Sequence, residues 1–148
     1  MELILWRHAD AESGIPDEER PLSPKGLKQA QRMAEWLKAR LPKDAMMLVS
    51  PARRAQETAR ALTKKFEICV EVGTSATPGA VLQAANWPDA DRAVVVVGHQ
   101  PTLGQVAALA LSGNAAEWSI KKGAIWWLER RNRDREALLR AVISPDLL

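Results

Sequence analysis

Cysteine is almost absent from the sequence, which contains a single one, Cys69, in 148 residues. No intrachain disulfide can form, so the chain fits a reducing compartment and we expect a cytoplasmic protein. Cys69 lies in an apolar alternation at 66–70, and we interpret it as a packed strand residue. Histidine is also scarce: two residues without a cysteine pair argue against a metal site. We therefore expect no metal and no other cofactor.

Long apolar runs and a strong charge excess are missing as well. No stretch approaches the roughly 18 apolar residues of a membrane-spanning helix, and the start of the chain lacks the pattern of a signal peptide. The formal net charge is +3, which gives little support to nucleic-acid binding. Hydrophobic residues make up 47%, as in ordinary globular proteins. At this length we expect one domain spanning 1–148, with neither a membrane nor a nucleic acid as partner.

Predicted strands alternate with predicted helices along most of the chain. Apolar runs predict strands at 2–6, 46–49, 66–72 and 93–97. Helices are predicted at 24–40, from 51 onwards, at 78–85 and at 101–111, the first with Leu27, Ala30, Met33, Ala34 and Leu37 on one apolar face. Strands at 124–128 and 137–143 predict a terminal hairpin around an arginine-rich, solvated turn at 130–135. This order predicts an α/β fold, a three-layer α/β/α sandwich with a mostly parallel central sheet and a C-terminal antiparallel hairpin.

Both histidines follow directly after a predicted buried strand. His8 comes after the first strand and His99 after the strand at 93–97, while Arg53 and Arg54 follow the second. In open α/β sheets ligands bind outside the carboxyl ends of the strands, so these side chains are expected at one edge. With Arg7 they would present two imidazoles and up to three guanidiniums. That set suits a phosphoryl group, because guanidiniums neutralise its oxygens and a neutral imidazole can attack phosphorus.

Four ordered segments carry a family resemblance: 5–10 (LWRHAD), 21–26 (PLSPKG), 50–58 (SPARRAQET) and 97–101 (VGHQP). Each is weak alone, but the ordered set resembles the motifs of the histidine phosphatase superfamily, whose fold is phosphoglycerate mutase-like. The small size resembles the SixA-type phosphohistidine phosphatases in particular.

The resemblance implies a role for each motif residue. His8 would be the nucleophile that becomes phosphorylated, and Arg7, Arg54 and His99 would hold the phosphate. Ser23 is a further substrate-binding candidate. Since neighbouring residues on a helix point about 100° apart, only one of Arg53 and Arg54 can face the phosphate, and the motif position favours Arg54.

The sequence departs from the family pattern at two places. Ala9 stands where glycine is common, and a residue this small should be tolerated. Larger members carry a glutamate proton donor after the third strand, whereas the segment 73–78 contains no acid. Expelling an alkoxide requires a proton, while imidazole leaves more easily, so the gap favours a P–N bond. Asp10 and Glu18 are the possible proton donors, with Asp17 and Glu19 in the same acidic loop.

The leading hypothesis is therefore a metal-independent phosphatase acting on a histidine-phosphorylated protein, such as a phosphotransfer domain or a phosphocarrier. The chain has no insertion that would form a lid, and an open site fits a protein substrate better than a small metabolite. One alternative keeps the nucleophile but hydrolyses small phosphate esters. Another is a non-catalytic module that binds phosphoproteins.

Overall fold

The computed structural model describes residues 1–132 and 135–148. Its strands are β1 (Glu2–Arg7), β2 (Met46–Val49), β3 (Glu67–Ile68), β4 (Val94–Gly98), β5 (Ile125–Glu129) and β6 (Leu138–Ile143). They form one sheet in the order β3-β2-β4-β1-β5-β6. Strands β1 to β4 are parallel, whereas β5 and β6 are added to β1 as antiparallel neighbours. The predicted mostly parallel sheet with a C-terminal hairpin is confirmed; part of the predicted turn at 130–135 lies outside the described residues.

Helices cover both faces of this sheet. They are α1 (Pro24–Lys38), α2 (Arg53–Arg60), α3 (Pro78–Ala84) and α4 (Thr102–Ser112). The apolar residues of α1 and α2 pack on one face, and those of α3 and α4 on the other. Every residue of β4 is buried, as a strand covered on both faces requires. The three-layer α/β/α arrangement is therefore confirmed, and within the described residues no helix is long and apolar enough to cross a membrane.

Helix α1 begins where the sequence predicts, but one residue of its predicted apolar face points to solvent. Ser23 caps it by accepting a hydrogen bond from the backbone N–H of Gly26 at 3.0 Å, and Pro24 occupies the first position. Gly26 faces the loop after β1 so closely that a Cβ would lie 1.9 Å from the carbonyl oxygen of Asp10. Leu27 is the next residue, about 100° further round, and is 47% exposed. The prediction that it belongs to the buried face was wrong.

The third predicted strand is much shorter than 66–72. Only Glu67–Ile68 pairs with β2, which itself has four residues. The backbone N–H of Cys69 makes a last bond to Val49, and the chain then enters a short 3₁₀ turn at Val70–Val72. Cys69 is partly buried beside this turn, where its Sγ–H donates to the Glu71 carboxylate, and is not a strand residue. The apolar alternation misled because β3 is an edge strand, whose residues Glu67 and Ile68 are exposed.

Candidate active site

A cavity of about 330 Å³ lies at the carboxyl ends of the parallel strands. Strand β1 ends in Arg7 and leads into His8, while β4 leads into His99. The beginning of α2, just past β2, supplies Arg54. We call this space the strand-end cavity; its walls are formed by Arg7, His8, Ala11, Asp17, Arg20, Arg54, Thr74, His99, Gln100 and Lys122.

Among the described residues, one ring nitrogen of His8 has a hydrogen-bond partner and the other has none. Its Nδ1 lies 2.7 Å from the carbonyl oxygen of Ala9. A carbonyl only accepts, so Nδ1 carries the proton and Nε2 keeps its lone pair. Burial, and to a smaller extent the positive charges of Arg54 and Arg7, lower the pKa of His8 to about 4. The ring is therefore neutral at pH 7 and has the electronic form of a nucleophile.

His99 lies beside His8, with the two ring centroids 5.1 Å apart. Its Nε2 is 2.7 Å from the Oγ of Ser50. Burial is the main reason that the pKa of His99 is lowered to about 3. Repulsion from His8, which is itself protonated at such low pH, and from the Arg54 guanidinium adds to the effect. Both imidazoles are thus neutral at pH 7, which avoids two adjacent cations when no ligand is bound.

Two of the guanidiniums on the cavity wall belong to Arg54, which is buried, and to Arg7, which is half-buried. Arg54 donates from Nη1 to the backbone oxygen of Asp17 at 2.8 Å and from Nη2 to its carboxylate at 3.0 Å. Arg7 donates from Nη1 to the carbonyl of Ile120 at 2.8 Å, and burial lowers the pKa of Arg7. Among the described residues the Nε atoms of Arg7 and Arg54 are buried without a hydrogen-bond partner. Such donors suit an anionic ligand.

Neighbouring arginines in α2 have opposite environments. The Arg54 side chain is 5% exposed and lies on the cavity wall, whereas that of Arg53 is 55% exposed. Arg53 instead lies 3.5 Å from Glu57, one helical turn on. The structure thus places in the cavity the arginine that the motif spacing favours.

Thr58 anchors the His8 loop to the helix that carries Arg54. Its Oγ1 accepts from the backbone N–H of Ala9 at 3.1 Å and donates to the carbonyl of Arg54 at 2.8 Å. The methyl group of Ala9 is buried against Leu22 and Ala30, so the loop accommodates it. Motif residues outside the cavity therefore hold together the chain segments that line it.

Three candidates from the sequence do not line the strand-end cavity. Ser23 caps α1, and its hydroxyl donates to the Asp10 carboxylate at 2.6 Å. Asp10 also accepts from Lys122 at 3.1 Å, and these two hydrogen bonds lower the pKa of Asp10. The Glu18 carboxylate accepts from the Thr74 hydroxyl at 2.9 Å. Neither possible proton donor reaches the cavity wall.

Asp17 is the one acidic side chain among the described wall residues. The hydrogen bond from Arg54 is the main reason that its pKa is lowered. The carboxylate is therefore ionised at pH 7 and is in no position to donate a proton. Its place on Arg54 is one that a bound phosphate oxygen could take.

Some wall residues were missed in the sequence, notably Arg20, Thr74, Gln100 and Lys122. Gln100 follows His99 and therefore had a positional signal; its Oε1 accepts from the backbone N–H of Gly104 at 2.7 Å. Lys122 had none, because it reaches the cavity only when β5 is added beside β1. Arg7, Arg20, Arg54 and Lys122 outnumber the single acid, so the wall attracts anions. In the part of the chain that the structure describes, no three His, Cys, Asp or Glu residues cluster as metal ligands would.

Comparisons with known proteins point to one family. Residues 3–75 match the model of the histidine phosphatase superfamily, branch 1. An uncharacterized protein of Mycobacterium tuberculosis is 36% identical over 118 residues, covering 77% of this chain and 75% of that protein. The phosphohistidine phosphatase SixA of Escherichia coli is 30% identical over 118 residues, covering 73% of each chain. A solved structure of the protein histidine phosphatase SixA complexed with tungstate is 26% identical, with a TM-score of 0.82 over 99% of both chains.

Proposed function

The chain belongs to the histidine phosphatase superfamily, and from that premise we propose that it dephosphorylates a histidine-phosphorylated protein through a phospho-His8 intermediate. The observation that carries the proposal is the state of His8. Its Nδ1 is bound to the Ala9 carbonyl, so Nε2 keeps a free lone pair, in a cavity lined by Arg7, Arg20 and Arg54. A neutral nucleophile beside fixed positive charge is what transfer of an anionic phosphoryl group requires.

In the first step His8 Nε2 attacks phosphorus. The new P–N bond forms as the P–N bond of the substrate breaks, and the substrate imidazole leaves. It departs as a neutral ring when its other nitrogen already carries a proton, and an open site allows solvent to supply that proton. Arg7 and Arg54 hold the phosphoryl oxygens while charge moves between the two rings.

In the second step water attacks the phosphorus of phospho-His8. Because Nδ1–H remains bonded to the Ala9 carbonyl, the phosphorylated ring is an imidazolium and returns to neutral imidazole when its P–N bond breaks. Both protons of the attacking water stay with the phosphate product, H2PO4⁻, so no group of the chain has to take one up. No metal enters either step, and we propose that the enzyme works without one.

Three observations favour phosphohistidine over a phosphate ester. The segment 73–78 contributes Thr74 to the wall and no acid. The only described acid on the wall, Asp17, is held ionised, so an alkoxide would leave without a ready proton donor. The third support is similarity to the SixA proteins, which are named as phosphohistidine phosphatases. The partner we propose is a phosphotransfer domain or a phosphocarrier. We also propose that the protein acts in the cytoplasm and that 1–148 form one domain.

A paired rate assay tests this proposal. The wild-type protein is given a histidine-phosphorylated phosphotransfer domain and, separately, a panel of phosphate monoesters, both with and without EDTA. We expect a kcat/KM at least about 100-fold higher for the phosphodomain, because an imidazole protonated by solvent leaves without a donor from the enzyme. Since no metal enters the proposed steps, EDTA should leave both rates unchanged. The His8→Ala variant should be inactive, and acid-labile, alkali-stable label on His8 should be trapped by rapid quenching of the wild type.

Each other result points to a different conclusion. Equal turnover of esters would favour a small-molecule phosphatase with the same nucleophile. Binding of the phosphodomain without turnover, and without label on His8, would favour a non-catalytic phosphoprotein-binding module. Full activity of His8→Ala would reject the mechanism.

A further inference from the structure

We propose that Ser50 is a positioning residue that fixes the ring tautomer of His99, so that the Nδ1–H of His99 donates to a phosphoryl oxygen. The inference rests on the proposed function for its consequence, but its structural part can be tested without any reaction. Ser50 lies between the end of β2 and α2 and is 0% exposed. It belongs to a sequence motif, yet it does not line the strand-end cavity itself; its hydroxyl faces His99, which does.

The Ser50 hydroxyl has two partners among the described residues. Its Oγ accepts from the backbone N–H of Ala52 at 3.1 Å. It also lies 2.7 Å from Nε2 of His99. The backbone N–H of Ser50 donates to the carbonyl of Val97 at 3.0 Å, which fixes the end of β2 against the end of β4. The serine is therefore held in place on both its main chain and its side chain.

Counting donors and acceptors decides the direction of the bond between Ser50 and His99. A hydroxyl has one proton to donate and two lone pairs, and Ala52 uses one lone pair. If Nε2 of His99 carried the ring proton, it would take the second lone pair and leave the hydroxyl proton buried without an acceptor. Such an orphaned donor is costly inside a protein. If Nε2 is unprotonated, Ser50 donates to it and every group is satisfied.

This direction determines what His99 offers to the strand-end cavity. A neutral imidazole with Nε2 unprotonated has its proton on Nδ1. No described residue hydrogen-bonds to Nδ1, so its N–H is available to a ligand. With the opposite tautomer a lone pair would replace that N–H and repel an anionic oxygen. The lowered pKa of His99 excludes the simpler possibility that both nitrogens are protonated at pH 7.

The ring tautomer can be read directly in the wild-type protein. Two-bond ¹H–¹⁵N correlation of the ¹⁵N-labelled protein at pH 7 distinguishes protonated from unprotonated ring nitrogens, and the chain has only two histidines to resolve. The spectrum of His8→Gln assigns the remaining ring. We expect His99 to show a protonated Nδ1 and an unprotonated Nε2. Protonation at Nε2 would overturn the proposal whatever the enzyme acts on.

Variants of Ser50 test the functional consequence. In Ser50→Ala the tautomer of His99 is no longer held, and we expect its Nδ1-protonated signals to be partly replaced and kcat to fall roughly tenfold or more. Ser50→Thr retains a hydroxyl and should recover the tautomer and most of kcat. Ser144→Ala is the matched control, since Ser144 is a buried serine outside the strand-end cavity whose hydroxyl donates to Asp146 at 2.5 Å. It should change neither quantity.

The two proposals fail in different ways. A folded Ser50→Ala protein with wild-type kcat and an unchanged His99 spectrum would reject the role of Ser50 while leaving the phosphatase intact. Wild-type protein that turns over no phosphohistidine, but shows the expected tautomer, would reject the proposed substrate while keeping the Ser50–His99 bond. If Ser50→Ala does not fold, the wild-type spectrum still decides the structural proposal.

Discussion

At the scale of single residues, environment rather than residue type separates the side chains that face the ligand from those that do not. Arg53 and Arg54 are adjacent and chemically identical, yet one is solvated and the other is buried on the cavity wall. Likewise, Asp10 and Asp17 belong to one acidic loop, but only Asp17 is on the wall. Rotation about a helix axis and the path of a loop make these distinctions.

The adjacent arginines provide a matched pair of variants. Arg54→Ala should lower kcat/KM roughly 100-fold or more, because a fixed charge is removed from the phosphoryl oxygens. Arg53→Ala removes the same charge from the chain, but the contact it breaks is an exposed one to Glu57. Its kcat/KM should therefore stay within about twofold of wild type. Steady-state kinetics of both variants under identical salt provides the measurement. Similar losses in the two would mean that the total charge matters and not the position of Arg54.

At the scale of elements, the close packing of α1 holds the loop that follows β1 and His8 in place. Gly26 is buried in the first turn of α1, and the loop carbonyl of Asp10 occupies the space that a side chain would need. Ser23, Glu57 and Gln29 add hydrogen bonds around the same loop. The segment 21–26 does not line the cavity, but it fixes the chain just after His8.

Two glycines in equivalent turns test this packing. Gly26→Ala should destabilise the protein by about 2 kcal/mol or more, since the new Cβ would lie 1.9 Å from a backbone oxygen. Gly79 is in the first turn of α3, and a Cβ there meets nothing within 4 Å, so Gly79→Ala should be neutral or stabilise by up to about 1 kcal/mol. Urea unfolding of both variants gives the free energies. Equal stability of the two would show that α1 can shift without cost.

At the scale of the whole molecule, folding keeps two histidines uncharged and pairs several carboxylates with hydrogen-bond donors. His8 and His99 are both buried at the strand ends, with pKa values lowered to about 4 and about 3. The unfolded chain takes up protons on both rings near pH 6.5, where the folded protein does not. Stability should therefore be greatest above that pH and decrease as protons are added.

Acid titration of stability tests this coupling. Between pH 7 and pH 5 the unfolded state binds more protons than the folded state, so we expect the free energy of unfolding to drop by roughly a few kcal/mol. The carboxylates with lowered pKa values, those of Asp10 and Asp17 among them, extend the loss to lower pH. Urea midpoints at several pH values measure the slope. His8→Gln should show a shallower slope, whereas an unchanged slope would mean that His8 is protonated in the folded state too.

The sequence by itself determined which segments form strands and helices and which functional side chains follow the strands. Apolar runs, proline-led helix starts and the placement of histidines and arginines after strands are local properties, so they predicted the α/β sandwich and placed Arg7, His8, Arg54 and His99 at one edge. These patterns depend only on the spacing of neighbouring residues, so they can be recognised without knowledge of the tertiary structure.

The tertiary structure alone decided which surfaces meet. It shortened β3 at the sheet edge, turned Leu27 to solvent, set the Ser23 hydroxyl against the Asp10 carboxylate and brought Lys122 to the strand-end cavity from beyond residue 120. It also placed Asp17 against Arg54 and Ser50 against His99. These outcomes depend on contacts between segments far apart in the chain. Burial, charge and hydrogen-bond partners arise from such contacts, and spacing within one segment does not encode them.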